Sequence, residues 1–223
     1  MLAQRVKRMA ASKTASRLLS KIKEGCELPR DCWKCEKALS CLKQKFFCPS
    51  CSAIQPLQEN FFDYLGVRAS FDVDTSLIKK HFLQLQSQIH PDKFTRCSMK
   101  EKEISEFCSS YLNDAYQTLT EPLRRAKYLL ELKGQSCNAE ETTTSNGDFM
   151  LLMMELNEEA DSLQTEDEVK RMIAKVDENI DQLCLQFKNH FESQQMNAAK
   201  EDVLKMNFFY RLRANLNKKL GFC

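Results

Sequence analysis

The sequence predicts an all-α protein, and three observations carry that prediction. Its 223 residues hold five glycines and five prolines, and helix interiors tolerate neither well. From Phe61 onward, apolar residues recur at steps of three and four. No strand-like alternation appears outside a short cysteine-rich segment, and no repeat of fixed period is evident. A hydrophobic content of 43% against 29% charged residues is ordinary for a globular chain. No apolar run reaches the roughly 18 residues that a membrane-spanning helix needs. The length fits one large or two small domains with a short module added.

The chain opens on a basic leader, assigned to 1–24. Arg5, Lys7, Arg8, Lys13, Arg17, Lys21 and Lys23 occur there with no acid before Glu24, among Ser12, Thr14, Ser16 and Ser20. Leu2, Val6 and Met9 share one side of a helix drawn through it. This is the composition of a mitochondrial transit peptide; a basic tail is the alternative, and the apolar patches are too short for a secretory signal. The expected location is the mitochondrial matrix, with a cytosolic pool of unprocessed protein. Seven of the 33 basic residues lie in this leader, so 26 remain against 31 acids, a net charge of −5. A mildly acidic body argues against nucleic acid as the main partner.

Next comes a cysteine-rich module, 25–57. Cys26, Cys32, Cys35, Cys41, Cys48 and Cys51 fall within 26 residues, while Cys97, Cys108, Cys137, Cys184 and Cys223 are scattered. The odd total of eleven, without a secretory signal, points to metal rather than disulfides. Cys32-x-x-Cys35 and Cys48-x-x-Cys51, twelve residues apart, have strong zinc-site spacing. Each pair sets two sulfurs on one tight turn, and two such turns complete a tetrahedron. Four thiolates leave no position for water, so one zinc ion held by these four is expected to be structural. Trp33, Phe46 and Phe47 are expected to supply a small core. Cys26 and Cys41 are left outside the ligand set. A redox CxxC is the rival reading, but it normally stands alone before a helix in a thioredoxin-like fold.

The helical body follows. Ile78, Phe82, Leu85 and Ile89 form one face of a helix that Asp74 or Thr75 could cap. Pro91 disfavours helical geometry at His90 and should end it. A second helix sets Ile104, Cys108, Tyr111, Ala115 and Leu119 on its apolar face, and Pro122 suits the first position of a third, running through Tyr128 and Leu130 to Gly134. Between the first two lies "QIHPDKF", where His90 and Asp92 flank a rigid proline. Catalysis would need a nucleophile or oxyanion site nearby, and metal binding would need further ligands; neither is visible. What remains is a turn between helices, displaying a carboxylate able to accept bidentate hydrogen bonds from an arginine. An ordinary capped helix end is the bland alternative.

A polar stretch, 135–147, reads as a linker or loop. Beyond it lie three amphipathic segments: Asp148 to Leu163; one holding Val169, Met172, Ile173, Val176, Ile180, Leu183 and Phe187; and one holding Met206, Phe209, Leu212, Leu216 and Leu220. Short connections imply an antiparallel three-helix bundle over 148–223. In its first helix Phe149, Leu152, Met153, Leu156, Ala160 and Leu163 make a core face. Met150, Leu151 and Met154 then point the other way, beside Glu155 and Glu158. Phe208 lies off the core face of the last helix. Such a second stripe suggests a partner site; burial of the helix on both sides is the alternative. Ten acids and no Lys or Arg between Gly134 and Val169 call for a basic partner.

Residues Phe61 to Lys133 resemble a J-domain, through "FFDYLGV", "IKKHFLQLQSQIHPDKF" and "YLNDAYQTLTEPLRRAKYLL". The resemblance implies that the loop at His90, Pro91 and Asp92, with Lys79, Lys80 and Lys93 as electrostatic contacts, docks on a DnaK-type chaperone and triggers ATP hydrolysis. Few basic residues and several Gln in the preceding helix imply weaker or more selective docking. The whole arrangement is similar to the mitochondrial iron–sulfur cluster co-chaperones of the HscB family, on "NDAYQTL", "FMLLMMELNEE" and the tetracysteine. That resemblance implies an all-α fold: a zinc-knuckle module, a J-domain helical hairpin over 58–134 and a C-terminal three-helix bundle. It further implies that Met150, Leu151, Met154, Glu155, Glu158 and Phe208 bind the IscU-type scaffold carrying a nascent cluster. Cluster acceptor proteins and weak self-association complete the expected contacts, and the chain is not expected to be an enzyme. The rivals are a general mitochondrial J-protein for unfolded clients and a zinc or thiol redox enzyme.

Overall fold

The computed structural model describes residues 31–39, 46–57, 59–135 and 147–221. The leader, Cys26, Cys41 and most of the linker lie outside the described residues. By contact the chain forms two compact units. One joins the described residues up to Val67 with Ser76–Tyr116; the other joins Arg68–Thr75 with the described residues from Gln117 onward. Among the described residues regular structure is helical, apart from two isolated antiparallel bridges, Asp31 with Ala38 and Phe47 with Ile54. No helix there is long and apolar enough to cross a membrane.

In the first unit, helix α1 (Phe61–Leu65) starts where Asn60 Oδ1 accepts from the Asp63 amide at 3.0 Å. It stops at Gly66, whose φ of 65° costs glycine little. Phe61, Phe62, Tyr64 and Leu65 are all buried. Helix α2 (Thr75–Ile89) buries Ile78 and Ile89, while Phe82 and Leu85 are half-buried. His90, with ψ of 132°, has left helical geometry as its neighbour Pro91 requires. One 3-10 turn, Pro91–Phe94, leads towards helix α3 (Met99–Thr120).

Three contacts tie the two helices. Ser105 Oγ donates to the Ile89 carbonyl at 2.7 Å, Gln86 Nε2 donates to Ser109 Oγ at 3.0 Å, and the Phe82 and Tyr116 rings stand 4.3 Å apart. Their order runs backwards along α3, so α2 and α3 form an antiparallel hairpin. Ile104, Cys108, Leu112, Ala115 and Leu119 line its buried side.

The second unit contains α4 (Pro122–Leu132), α5 (Gly147–Ser162), α6 (Glu166–Glu192) and α7 (Met196–Lys219). Pro122 occupies the first position of α4, where its missing N–H costs nothing. Thr165 and Glu168 close a reciprocal capping box on α6. Val169, Met172, Val176, Ile180, Leu183 and Phe187 of α6 meet Val203, Met206, Phe209, Leu212 and Leu216 of α7 in the main core. Helices α4 and α5 both pack on α7. The C-terminal helices therefore gain a fourth neighbour in α4, whose Lys127 Nζ donates to Asn207 Oδ1 at 3.2 Å.

The segment before α2 joins this unit as well. Phe71 is buried against the Phe187 ring at 4.8 Å, and Lys188 Nζ donates to Asp72 Oδ2 at 2.8 Å. Arg125 lies buried with its guanidinium 4.9 Å from the Phe71 ring and Nη1 donating to the Leu119 carbonyl at 2.5 Å. Burial lowers its pKa.

Candidate functional site

The His-Pro-Asp turn is a rigid display. The His90 amide donates to Gln86, the Lys93 amide to His90 and the Cys97 amide to Phe94, all at 3.0–3.1 Å. Phe94 turns inward and is buried. His90 Nδ1 stands 3.3 Å from the Asp92 amide and 3.4 Å from Asp92 Oδ2. The neutral ring accepts from the amide; a protonated ring would donate to the carboxylate instead. The Asp92 side chain is 87% exposed and that of His90 45%. Lys79, Lys80 and Lys93 are exposed on α2 and the turn. The other two histidines are occupied elsewhere: His81 Nδ1 meets the Leu65 carbonyl at 2.8 Å, and His190 Nδ1 meets buried Asp202 at 2.6 Å. The turn presents polar groups to a surface, with the Asp92 carboxylate exposed to a forked donor.

The cysteine quartet is assembled by two copies of one loop. The Cys32 amide donates to Lys37 O and the Glu36 amide to Cys32 O, both at 2.9 Å. In the second copy the Cys48 amide donates to Ala53 O at 2.9 Å and the Ser52 amide to Cys48 O at 2.8 Å. Glu36 and Ser52, each after the second cysteine of its pair, share left-handed φ values of 58° and 57°. The amides of Lys34 and Ser50 point at Cys32 Sγ and Cys48 Sγ, each at 3.4 Å.

All four sulfurs lie within 4.8 Å of one another, with Cys32 to Cys51 at 3.6 Å and Cys35 to Cys48 at 3.7 Å. A disulfide needs about 2.05 Å. Sulfurs at about 2.3 Å from one tetrahedral ion stand about 3.8 Å apart, so the donor set fits a closed four-thiolate metal site. Burial raises the Cys32 thiol, but hydrogen bonds from the Cys35 and Lys34 backbones and from neighbouring sulfurs outweigh it and bring it to about 6. At Cys51 a backbone hydrogen bond from Ala53 pulls downward, while burial and the other three sulfurs push it up to about 12. Bringing all four sulfurs to the thiolate in this space, Cys51 included, requires a cation to balance them.

Two features around the quartet were not legible in the spacing. Gln55, 2% exposed, donates from Nε2 to Cys32 Sγ at 3.3 Å and to Ala53 O at 2.8 Å. Such outer contacts orient a metal-binding sulfur. Of the three aromatics expected in the small core, Phe46 alone is fully buried, edge-on to Tyr64 at 5.0 Å. Trp33 and Phe47 are half-buried, and Ile54 takes the central place, its carbonyl accepting from Trp33 Nε1 at 2.6 Å. The loop also grips α3: Lys34 Nζ donates to Glu101 Oε1 at 3.0 Å, and Lys100 Nζ stands 4.2 Å from the Trp33 ring centre. Ser98 and Lys34 together hold the Glu101 carboxyl below its ordinary range.

The third surface is the outer face of α5. Phe149, Leu156 and Ala160 are buried, whereas Met150 is 48% exposed, Leu151 61% and Met154 60%, with Glu155 and Glu158 exposed beside them. Leu152, expected in the core, is 42% exposed. At 3.6 residues per turn it lies about 60° from the centre of the buried stripe, at its edge, and so extends the outer patch. Phe208 is half-buried, edge-on to Phe149 at 5.9 Å, and closes one side of it. Lys219 Nζ donates to the carbonyls of Ala160 and Asp161 at 2.5 and 3.3 Å, where a cation suits a helix C-terminus.

Comparison with known proteins places these features together. A DnaJ domain model matches residues 60–128, and the model for the HSCB C-terminal oligomerisation domain matches residues 145–217. Human iron–sulfur cluster co-chaperone protein HscB is 32% identical over 198 residues, covering 87% of this chain and 84% of that protein. The co-chaperone protein HscB homolog of Shewanella halifaxensis is 31% identical over 167 residues, covering 71% and 95%. The crystal structure of human HscB matches with a TM-score of 0.80 at 31% identity, over 85% of this chain and 98% of that one. Chaperone HscB from Vibrio cholerae matches at 0.68 and 31%, over 73% and 98%. J-domain hairpin, C-terminal helices and likeness along most of the length agree, and the chain belongs to the HscB family of iron–sulfur cluster co-chaperones.

Proposed function

We propose that this protein is a co-chaperone of iron–sulfur cluster assembly in the mitochondrial matrix, with no catalysis of its own. His90, Pro91 and Asp92, with Lys79, Lys80 and Lys93, dock on a mitochondrial DnaK-type chaperone and stimulate its ATPase. Met150, Leu151, Met154, Glu155, Glu158 and Phe208 hold an IscU-type scaffold, and cluster passes from it to acceptor proteins. The quartet holds one structural zinc ion. Work is divided among a leader (1–24), the zinc knuckle (25–57), the J-domain (58–134), a linker (135–147) and the scaffold-binding helices (148–223). Joining both docking surfaces in one chain raises the effective concentration of scaffold at the chaperone.

The observation that carries this reading over a general J-protein is the α5 patch. Among the described residues, four large apolar side chains of α5 stay exposed beside acids. Binding of the scaffold protein, followed by titration calorimetry, tests it. Met150→Ala with Met154→Ala is expected to weaken binding about tenfold or more, with helicity by circular dichroism unchanged. Equal affinity, or equal preference for denatured clients, would reject the scaffold-binding face.

A further inference from the structure

We propose that Lys34 is a positioning residue for the His-Pro-Asp turn, acting through Glu101, so that the metal knuckle sets how well the turn is held. The proposal rests on reading the turn as the chaperone-docking element. Lys34 and Trp33 are the two residues between the first pair of sulfurs, Cys32 and Cys35. The Lys34 amide is itself directed at Cys32 Sγ at 3.4 Å. A metal on the quartet therefore fixes the backbone from which both side chains leave. Both reach the first turn of α3: Lys34 Nζ donates to Glu101 Oε1 at 3.0 Å, and the Trp33 ring lies 4.2 Å from Lys100 Nζ.

Glu101 is a carboxylate with two duties. Its Oε1 takes the knuckle's lysine. Its Oε2 accepts from the Ser98 amide at 3.2 Å and from Ser98 Oγ at 2.7 Å, and Ser98 Oγ accepts in turn from the Glu101 amide at 3.4 Å. This is a capping box, and it fixes where the loop ends and α3 begins. Ser98 directly follows Cys97, whose amide donates to Phe94 at 3.0 Å in the signature turn.

The loop is thus pinned at both ends by different means. At its start, buried Ser105 holds the Ile89 carbonyl at 2.7 Å inside the core. At its end, the holder is a carboxylate whose side chain is 11% exposed, with Lys34 as its cationic partner. Ser98 fixes one oxygen of this carboxylate and Lys34 the other, so the direction of the side chain depends on both. Removing the ammonium loosens the end of the turn while leaving its start untouched.

Two measurements on the full chain test this. Amide hydrogen exchange is expected to rise several-fold over Asp92 to Ser98 in Lys34→Ala, with Ser105 to Leu119 of α3 unchanged. Lys34→Arg is expected to restore protection, and chelating the metal from the native protein to reproduce the loss. In titrations of chaperone ATPase, Lys34→Ala should raise the half-saturating concentration about fivefold with little change in the plateau, since a docking-competent turn is populated less often. Unchanged exchange over the turn would overturn the proposal, as would faster exchange spread evenly through α3. If the native chain stimulates no chaperone, the docking reading falls, and the exchange result alone decides on Lys34.

Discussion

The His-Pro-Asp turn and the outer face of α5 are both surfaces offered outward, and they are built on opposite principles. The turn is small and polar, and its backbone is over-determined by a proline, three hydrogen bonds from backbone amides and clamps at Ile89 and Ser98. The α5 face is a regular helix with nothing special in its backbone. Its signal is surplus: more Met and Leu than one buried stripe can use. Recognition through a few directed hydrogen bonds depends on where atoms are held, so scaffolding around the turn matters. Recognition through apolar area depends on what is left uncovered, so the rest of the core matters.

That contrast can be broken at several levels. The largest effect is expected at the knuckle beside the turn, because a four-thiolate zinc site contributes about 10–16 kcal/mol of apparent metal binding to folding a small module. A strong chelator is expected to release one zinc ion per chain and to abolish amide protection over Cys48 to Ile54, leaving the helicity of α5–α7. A native protein with no bound metal and four freely reactive thiols would contradict the site.

On α5 the two sides of one helix should separate cleanly. Leu156→Ala is expected to cost about 2–5 kcal/mol in denaturant unfolding, and Met154→Ala to stay within about 0.5 kcal/mol. Comparable losses would mean that the outer stripe is buried after all. For the turn, Asp92→Asn or His90→Gln is expected to remove about 1.5–3 kcal/mol of docking energy, roughly ten- to hundredfold in ATPase stimulation, at unchanged stability. Retained stimulation would reject the docking role.

The smallest effect concerns pH. Glu101 has its carboxyl lowered by Ser98 and Lys34, so its contribution is present above the unfolded value of about 4.3 and is lost as pH falls through the folded value. Glu101→Ala should therefore lose about 1 kcal/mol at neutral pH, a cap's worth, and converge with the native protein in acid. A gap that persists at low pH would assign the loss to packing instead.

Local chemistry explains why so much was legible in the sequence. Pro91 ends α2 because of its own ring, the CxxC pairs close on themselves within a few residues, and periods of three and four mark helices without reference to any neighbour. The outward turn of Met150, Leu151 and Met154 follows from helical angle alone. Leu152 shows the limit, since a residue at the edge of a stripe is assigned by how far the facing helix reaches.

The sequence by itself determined the helices, the turn and the cysteine quartet, because each rests on contacts between residues close along the chain. The tertiary structure alone decided that Phe71 and Arg125 bury together beside Phe187, that Ile54 replaces Trp33 at the heart of the knuckle, and that Lys34 meets Glu101 across 67 residues. These contacts join residues far apart in the chain, and no periodicity or spacing encodes which distant side chain will occupy a given space. They depend on how whole elements pack, where shape and the need to pair buried charge select one neighbour from many.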